Sequence, residues 1–397
     1  MKSGRQKILM LLQSDFPPDI RVSKEIKALS KAGYTLFLLC NNNKNLPEKE
    51  KIDSAQVLRL PRLNFLPQKA AKLLRMPFFF NPLWIYLILK IIRKERIDVI
   101  HVHDLPLAPL AIGVGKLTSL SVVYDMHENY PAAMAIWAKR LSWLERQIKN
   151  TIIAQKLNRF AIKHAERIIV VVEEHRDKLI KEGVSPNKLA VVGNTVDVQE
   201  FLGLPIDTEI IDRFKSFFTI LYIGSFAVDR GLETAILAMK YLKDKIPNVR
   251  LLLVGSGKNL EELQQLTKNE NLEAWVEFID WVPFKKVPSF VSAAKVCIIP
   301  QPSNSANDST IPHKLFQYML LEKPVLVSDA APLKRIVEEC KCGKVFRSDD
   351  PKHFSDMIQT LYESSESYGA NGKRWVEKKY NWENTSKNLI TLYSSIS

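Results

Sequence analysis

Two stretches in the second half of the chain put cations where a helix dipole favours anions. In "STIPHKLFQYML", residues 309–320, Pro312 suits the first turn of a helix and Ser309 or Thr310 can cap it, leaving His313 and Lys314 inside that turn. A cation there is disfavoured by roughly 0.3–1 kcal/mol. In "YIGSFAVDRGLE", residues 222–233, Arg230 stands at a second helix head, after Gly224. Each head follows an apolar run, "FTILYIGS" or "KVCIIP", the latter through the polar loop "QPSNSANDST". In an open parallel sheet, ligands bind beyond the carboxyl ends of the strands, where free helix N–H groups point outward. An anion at that edge offsets the repulsion at both heads. Diphosphate is the candidate, because Arg offers planar donors and Lys a point charge. A surface Lys also tolerates a helix head, but two cations at two heads favour a ligand.

The first half offers imidazoles and carboxylates. His127 in "YDMHENYP" follows another strand-like run, and Glu128 beside it can orient it or touch a substrate. "HVHD" puts His101 and His103 on one face of a strand, so a metal pair is conceivable. No third ligand of suitable spacing follows, and Asp104 comes one position early for a His-x-His-x-Asp pattern. No metal is therefore expected, and Asp104 is placed facing a ligand. In "SDFPPDIRVSKE", Arg21 leads into a helix head, where it either meets phosphate or stands in solvent.

Positioning these groups requires sheets. "KILMLLQ", "YTLFLLC", "DVIHVHD", "SVVYDMH", "RIIVVVE" and "KLAVVGN" in the first half, then "FTILYIGS", "VRLLLVGSG", "KVCIIPQ" and "KPVLVSD", alternate with helix-length amphipathic segments. Strands apolar on both faces between helices predict parallel sheets covered on both sides, hence an α/β protein of two doubly wound units. The length of 397 residues allows two such domains. The break is placed at Pro205: residues 1–204 as the first domain, 205–380 as the second, and 381–397 as a helix that crosses back to the first. Beyond "KPVLVSD" only helices are expected.

The net charge of +14 is one-sided, with 32 Lys+Arg against 19 Asp+Glu in residues 1–200 and 25 against 24 in the remainder. A basic half implies an anionic partner: a membrane surface, nucleic acid or a phosphorylated substrate. Residues 66–94 place Phe78, Phe79, Phe80 and Trp84 between Lys69, Lys72 and Arg75 on one side and Arg93, Lys94 and Arg96 on the other. That arrangement fits either an interfacial element or a core helix preceded by a loop. Residues 135–160 have a similar basic amphipathic character. Pro77, Asn81, Pro82 and Lys90 interrupt the first segment too often for it to span a bilayer. Four cysteines without a Cys-x-x-Cys pair and a short apolar opening suggest a cytoplasmic setting, peripheral to the inner face of the membrane at most.

On "YIGSFAVDRGLE", "LLLVGSGK", "IPHKLFQYMLLEKPVLVSD", "DFPPDIRVSKEIKALSKAGY", "HVHD" and "YDMHENYP", the chain resembles the retaining GT-B-fold glycosyltransferases of family 4 (glycosyl transferases group 1) over essentially its whole length. The resemblance implies two Rossmann-like domains facing across a cleft. A nucleoside-diphosphate sugar would be the donor, a lipid-linked or envelope glycan the acceptor, and neither metal nor another cofactor would be needed. It assigns the diphosphate to Arg230 and Lys314, the face of the reacting sugar to His127, and further donor contacts to Gly224, Ser225, Gly255, Thr310, Ile311 and Gln317. Trp281 and Val282 fall where the family reads the base, with Trp281 stacked near it or in the core. Arg21, Asp104 and Glu128 fall on the acceptor side. Ser225 departs from an Arg of the family, and Ser309 and Gln317 from two Glu, which leaves Asp308 as a compensating acid. Two other readings remain: a non-hydrolysing sugar-nucleotide epimerase of the same fold, and a basic nucleic-acid-binding protein, which no recognition motif supports.

Overall fold

The computed structural model describes residues 6–61, 81–138, 150–364 and 367–396. It forms two compact units, Met1–Gly193 with Thr385–Ser397, and Asn194–Asn384. The division falls before the expected 204/205 boundary because residues just after Gly193 join the second unit. Val196 bridges Asn381, and the Val196 carbonyl accepts from the N–H of Trp382 at 2.8 Å.

The first unit holds an eight-stranded sheet: β1 (Lys7–Asp15), β2 (Thr35–Asn41), β3 (Lys49–Ile52), β4 (Ala55–Arg59), β5 (Val99–His103), β6 (Ser121–Met126), β7 (Arg167–Val170) and β8 (Leu189–Val191). Their order is β3-β4-β2-β1-β5-β6-β7-β8, parallel throughout except for β3 against β4. Ile8 to Leu11 are all fully buried, as a strand covered on both faces by helices requires. The order reverses between β1 and β5, and the loops that leave β5 and β6 there carry Asp104 and His127.

The second unit has six parallel strands: β9 (Phe218–Ile223), β10 (Val249–Val254), β11 (Val276–Ile279), β12 (Val296–Ile299), β13 (Val325–Ser328) and β14 (Gly343–Phe346), ordered β11-β10-β9-β12-β13-β14. Its reversal lies between β9 and β12. The loops after these two strands lead to the helices Leu232–Leu242 and His313–Leu320, the two heads that the sequence singles out.

Four strands escape the sequence pattern. β3 is exposed and charged, β4 alternates, β11 is short and half-exposed beyond Val276, and β14 is an edge strand in which only Phe346 is buried. The expectation of helices alone beyond residue 329 is thus corrected by β14, which pairs with β13. Of the basic aromatic segment, Lys69, Lys72, Arg75, Phe78, Phe79 and Phe80 lie outside the described residues. The remainder is the helix Pro82–Glu95, capped by Asn81, and it buries Trp84, Ile88, Ile91 and Ile92 in the core of the first unit. Trp84 is fully buried, so that helix belongs to the core and not to an interface.

Candidate functional site

At the switch point of the second unit, Lys314 is half-buried over an aromatic face. Its Nζ lies 3.7 Å from the centroid of the Tyr222 ring, a cation–π contact. Among the described residues no carboxylate pairs with it, and Arg230 is close enough to oppose its charge. Burial first, and then Arg230, drive the Lys314 ammonium well below its usual pKa. A cation held away from water without a counterion is destabilised, and an incoming anion relieves that cost.

The backbone around Lys314 is closely packed at three glycines. Gly224, at φ +146°, has its α-carbon so close that an added Cβ would lie 2.5 Å from Lys314 Nζ. At Gly255, φ +145°, a Cβ would fall 1.9 Å from the Gly224 carbonyl oxygen, and at Gly231, φ +66°, 2.1 Å from that of Pro300. These three glycines let the loops after β9, β10 and β12 close on one another. Gly231 thereby seats the 3-10 turn Val228–Arg230 at the carboxyl end of β12. Arg230 is part-exposed and pairs with Asp229 at 3.2 Å.

Neither helix head is capped by a side chain. Pro312 occupies the cap position of His313–Leu320 instead of its first turn, the Ser309 hydroxyl donates to the Ser305 carbonyl at 2.8 Å, and Thr310 closes the 3-10 turn Asn307–Ser309. Ser309 is therefore committed to its own loop and not to the helix head. Asp308 is also committed, accepting from the Ser303 hydroxyl at 3.0 Å and the Ala331 N–H at 2.9 Å, so it does not stand in for a missing acid. Gln317, one turn beyond His313, is 7% exposed and its amide has no partner among the described residues. The side chain of Ile311 is buried, and its carbonyl accepts from Asn194 Nδ2 at 3.0 Å. Ser225 receives the Tyr222 hydroxyl on its carbonyl at 2.8 Å. Trp281 is 67% exposed, which corrects the core alternative, and it stands with half-buried Val282 in the loop after β11, two strands from the switch point.

In the first unit, His127 is held at both ring nitrogens. Its Nε2 lies 2.8 Å from Asp125 Oδ2 and its Nδ1 3.3 Å from Asp104 Oδ2, while its backbone N–H donates to Asp104 Oδ1 at 3.2 Å. Burial alone would lower its pKa; Asp104 and then Asp125 outweigh that and push it up to about 10. His127 is thus an imidazolium near neutral pH. Asp104 adopts φ +62°, an uncommon conformation for a residue with a side chain, and it remains 15% exposed beside 18% for His127. The two aspartates hold His127 in the orienting role offered to Glu128, which is half-buried just before the helix Tyr130–Ala138.

Behind His127 the polar cluster is fully buried. Arg21 Nη2 meets Asp125 Oδ1 at 2.8 Å, its Nε meets Glu25 Oε1 at 3.1 Å, and its Nη1 donates to the Val192 carbonyl at 2.8 Å. Arg21 is therefore neither a phosphate contact nor a solvated side chain: at 4% exposure it is an internal counterion. Burial raises Asp125, but Arg21 and then His127 outweigh it and hold the carboxyl well below its usual range. Glu25 moves up, by burial first and then by Asp125. Glu25, His101, His103 and Asp125 bring one potential ligand atom each within 4.8 Å of one another, so the fold supplies the carboxylates that the sequence spacing around the two histidines lacked. A guanidinium already contacts both acids, and a divalent ion beside it would meet strong repulsion in a low dielectric. The cluster therefore fits an arginine-centred ion network better than a metal site.

Tyr222, Asp125 and Glu25 are the participants that sequence reasoning missed. Signals existed for two of them: Asp125 is a lone charge inside an apolar strand, and Glu25 stands four residues after Arg21 on one helix face.

Comparison with known proteins places this geometry. Residues 206–382 match the glycosyl transferases group 1 model, and residues 21–200 match the glycosyltransferase family 4 model. The chain belongs to the family 4 glycosyltransferases. It is similar to an uncharacterized glycosyltransferase of Methanocaldococcus jannaschii, at 21% identity over 64% of this chain and 65% of that protein. It is also similar to the UDP-Gal:alpha-D-GlcNAc-diphosphoundecaprenol alpha-1,3-galactosyltransferase of Escherichia coli, at 23% identity over 53% of this chain and 54% of that protein. These matches span between about a half and two thirds of the length of those curated relatives. The solved sucrose-phosphate synthase of Thermosynechococcus elongatus superimposes with a TM-score of 0.79 at 19% identity, covering 98% of both chains. The two parallel-sheet units are thus a GT-B fold.

Two outcomes follow from the site geometry. Gly224→Ala drives a methyl group into Lys314 and should weaken pyrophosphate binding by about tenfold or more in calorimetry; unchanged affinity would remove Lys314 from the anion seat. Because the folded pKa of His127 is raised, its stabilisation is complete below about pH 6.5 and is lost as pH rises towards about 10, by at most about 1.4 kcal/mol per unit. The difference in melting temperature between wild type and His127→Gln should shrink across that window, and a difference independent of pH would contradict the charge assignment.

Proposed function

We propose that the protein transfers a sugar from a nucleoside-diphosphate sugar to a lipid-linked or envelope glycan, with retention of anomeric configuration and without metal. The observation that carries this reading is Lys314, half-buried over Tyr222 with no acid paired to it among the described residues and with Arg230 nearby, at the switch point of the second sheet. As the glycosidic bond to phosphate breaks, negative charge grows on the departing diphosphate, and fixed positive groups in a dry site stabilise that charge most in the transition state. Lys314, Arg230 and the two helix heads supply such groups, the work that a divalent ion performs in other transferases. Gln317, with its unpartnered amide, is suited to a vicinal diol such as ribose, accepting from one hydroxyl and donating to the other. Asp229 and Asp308 are both engaged elsewhere, so neither serves as a sugar nucleophile, which favours attack on the face that the diphosphate leaves. In the first unit, Asp104, strained and part-exposed, receives an acceptor hydroxyl, and the His127 imidazolium faces the reacting sugar.

A lipid-linked acceptor accords with the diphosphoundecaprenol substrate named for the Escherichia coli relative. The surface of the first unit supports it as well. The helix Thr151–His164 exposes Ile152, Ile153 and Phe160 among Lys156, Arg159 and Lys163, and Lys116 lies 5.4 Å over the Phe160 ring. Apolar groups set among cations suit an anionic lipid surface. Among the described residues, no helix is long and apolar enough to cross a membrane.

The deciding experiment is a screen of nucleoside-diphosphate sugars, with membrane extract as the acceptor source and released nucleoside diphosphate as the readout. Acceptor-dependent release is expected, and Lys314→Ala and Arg230→Ala should each lower turnover at least about tenfold with the circular dichroism spectrum unchanged. Near-normal turnover in both variants would defeat the diphosphate assignment, and a changed sugar nucleotide without acceptor would indicate an epimerase. Sedimentation with liposomes should require anionic lipid and weaken as salt rises; failure to sediment at low salt would exclude the membrane partner.

A further inference from the structure

The buried cluster behind His127 contains a hydrogen bond that the proposed reaction does not use. Tyr393, fully buried on the helix Trp382–Ser394, places its hydroxyl 2.5 Å from His101 Nδ1, and the two rings stack 6.1 Å apart at 20°. The opposite nitrogen, His101 Nε2, is buried without a hydrogen-bond partner, 3.6 Å from Asp125 Oδ2 and 3.7 Å from Glu25 Oε2. A lone pair aimed at the ionised Asp125 carboxylate is repelled, whereas an N–H aimed at it is attracted. The proton of neutral His101 therefore belongs on Nε2, and Nδ1 is left to accept from the tyrosine. Burial acts in the same sense, lowering the pKa of His101 and raising that of Tyr393, so that the ring stays neutral and the hydroxyl keeps its proton.

Asp125 Oδ2, which faces the His101 N–H, is the oxygen that holds His127 Nε2 at 2.8 Å and His103 Nδ1 at 3.1 Å. We infer that Tyr393 is a positioning residue for His127: its hydroxyl donates to Nδ1 of His101 and reinforces the tautomer that Asp125 favours, in which the His101 N–H steadies the Asp125 carboxylate that orients the His127 ring. The inference rests on the role given to His127 in the proposed transfer.

The test uses the full chain labelled with 15N-histidine, as wild type and as Tyr393→Phe, with long-range imidazole NMR correlations recorded beside steady-state kinetics. Wild-type His101 should show the Nε2-protonated pattern. In Tyr393→Phe that pattern should become mixed, and kcat should fall roughly threefold to tenfold with the donor KM unchanged. An Nδ1-protonated His101 in the wild type, a metal-bound ring, or an unaltered spectrum or kcat in the variant would overturn the inference. The wild-type spectrum decides the tautomer even if the variant does not fold. Full turnover in His127→Ala would sink the assigned role of His127 and the link to turnover, and the spectrum would still decide whether Tyr393 governs His101.

Discussion

A lysine amine held over the ring of Tyr222 without an acid partner among the described residues, that of half-buried Lys314, is the constraint around which the second unit is arranged. Three glycines bring the loops so close that no side chain fits between them, and the chain directions of β9 and β12 point both helix heads at the same place. A protein selected only for stability would pair that ammonium or replace it. Its retention, with Arg230 adding like charge, is a local cost that the apolar interior of the second unit sustains, and sites of this kind are where fold and function part ways.

The first unit reaches the opposite electrostatic solution with the same sheet architecture. Arg21 and the His127 imidazolium are set against Asp125 and Asp104, so the cations there are neutralised inside the protein. Such a network does not attract a free anion. It holds a ring and a strained carboxylate in fixed positions, as suits a neutral, hydroxyl-bearing partner better than a phosphate. One sheet edge is thus electrostatically hungry and the other sated, the division of labour that the proposed transfer from a charged donor to an acceptor hydroxyl requires.

The strands that are apolar on both faces were legible because burial on two sides leaves no polar position. β3 and β14 were not, since an edge strand needs few apolar residues, and β14 looks like a helix-to-helix linker until β13 lies beside it. Lys314 and Arg230 were legible because each offends a local rule, a cation at a positive helix end. Arg21 offends no local rule, and its burial follows from Asp125, more than a hundred residues away in sequence, so its assignment to a ligand was mistaken. Trp281 misled for a related reason: an aromatic residue after a strand usually seeks the interior, yet the loop after β11 leaves it in solvent. Glu25 and Asp125 show the same limit, because spacing along the chain cannot reveal two acids that the sheet and an adjoining helix bring to one point.

The first unit is assembled from both ends of the chain, with residues Asn194–Asn384 inserted as a continuous block. Separating Met1–Gly193 from the rest would therefore strip His101 of the tyrosine hydroxyl that meets its Nδ1, so the two units do not correspond to two simple halves of the sequence.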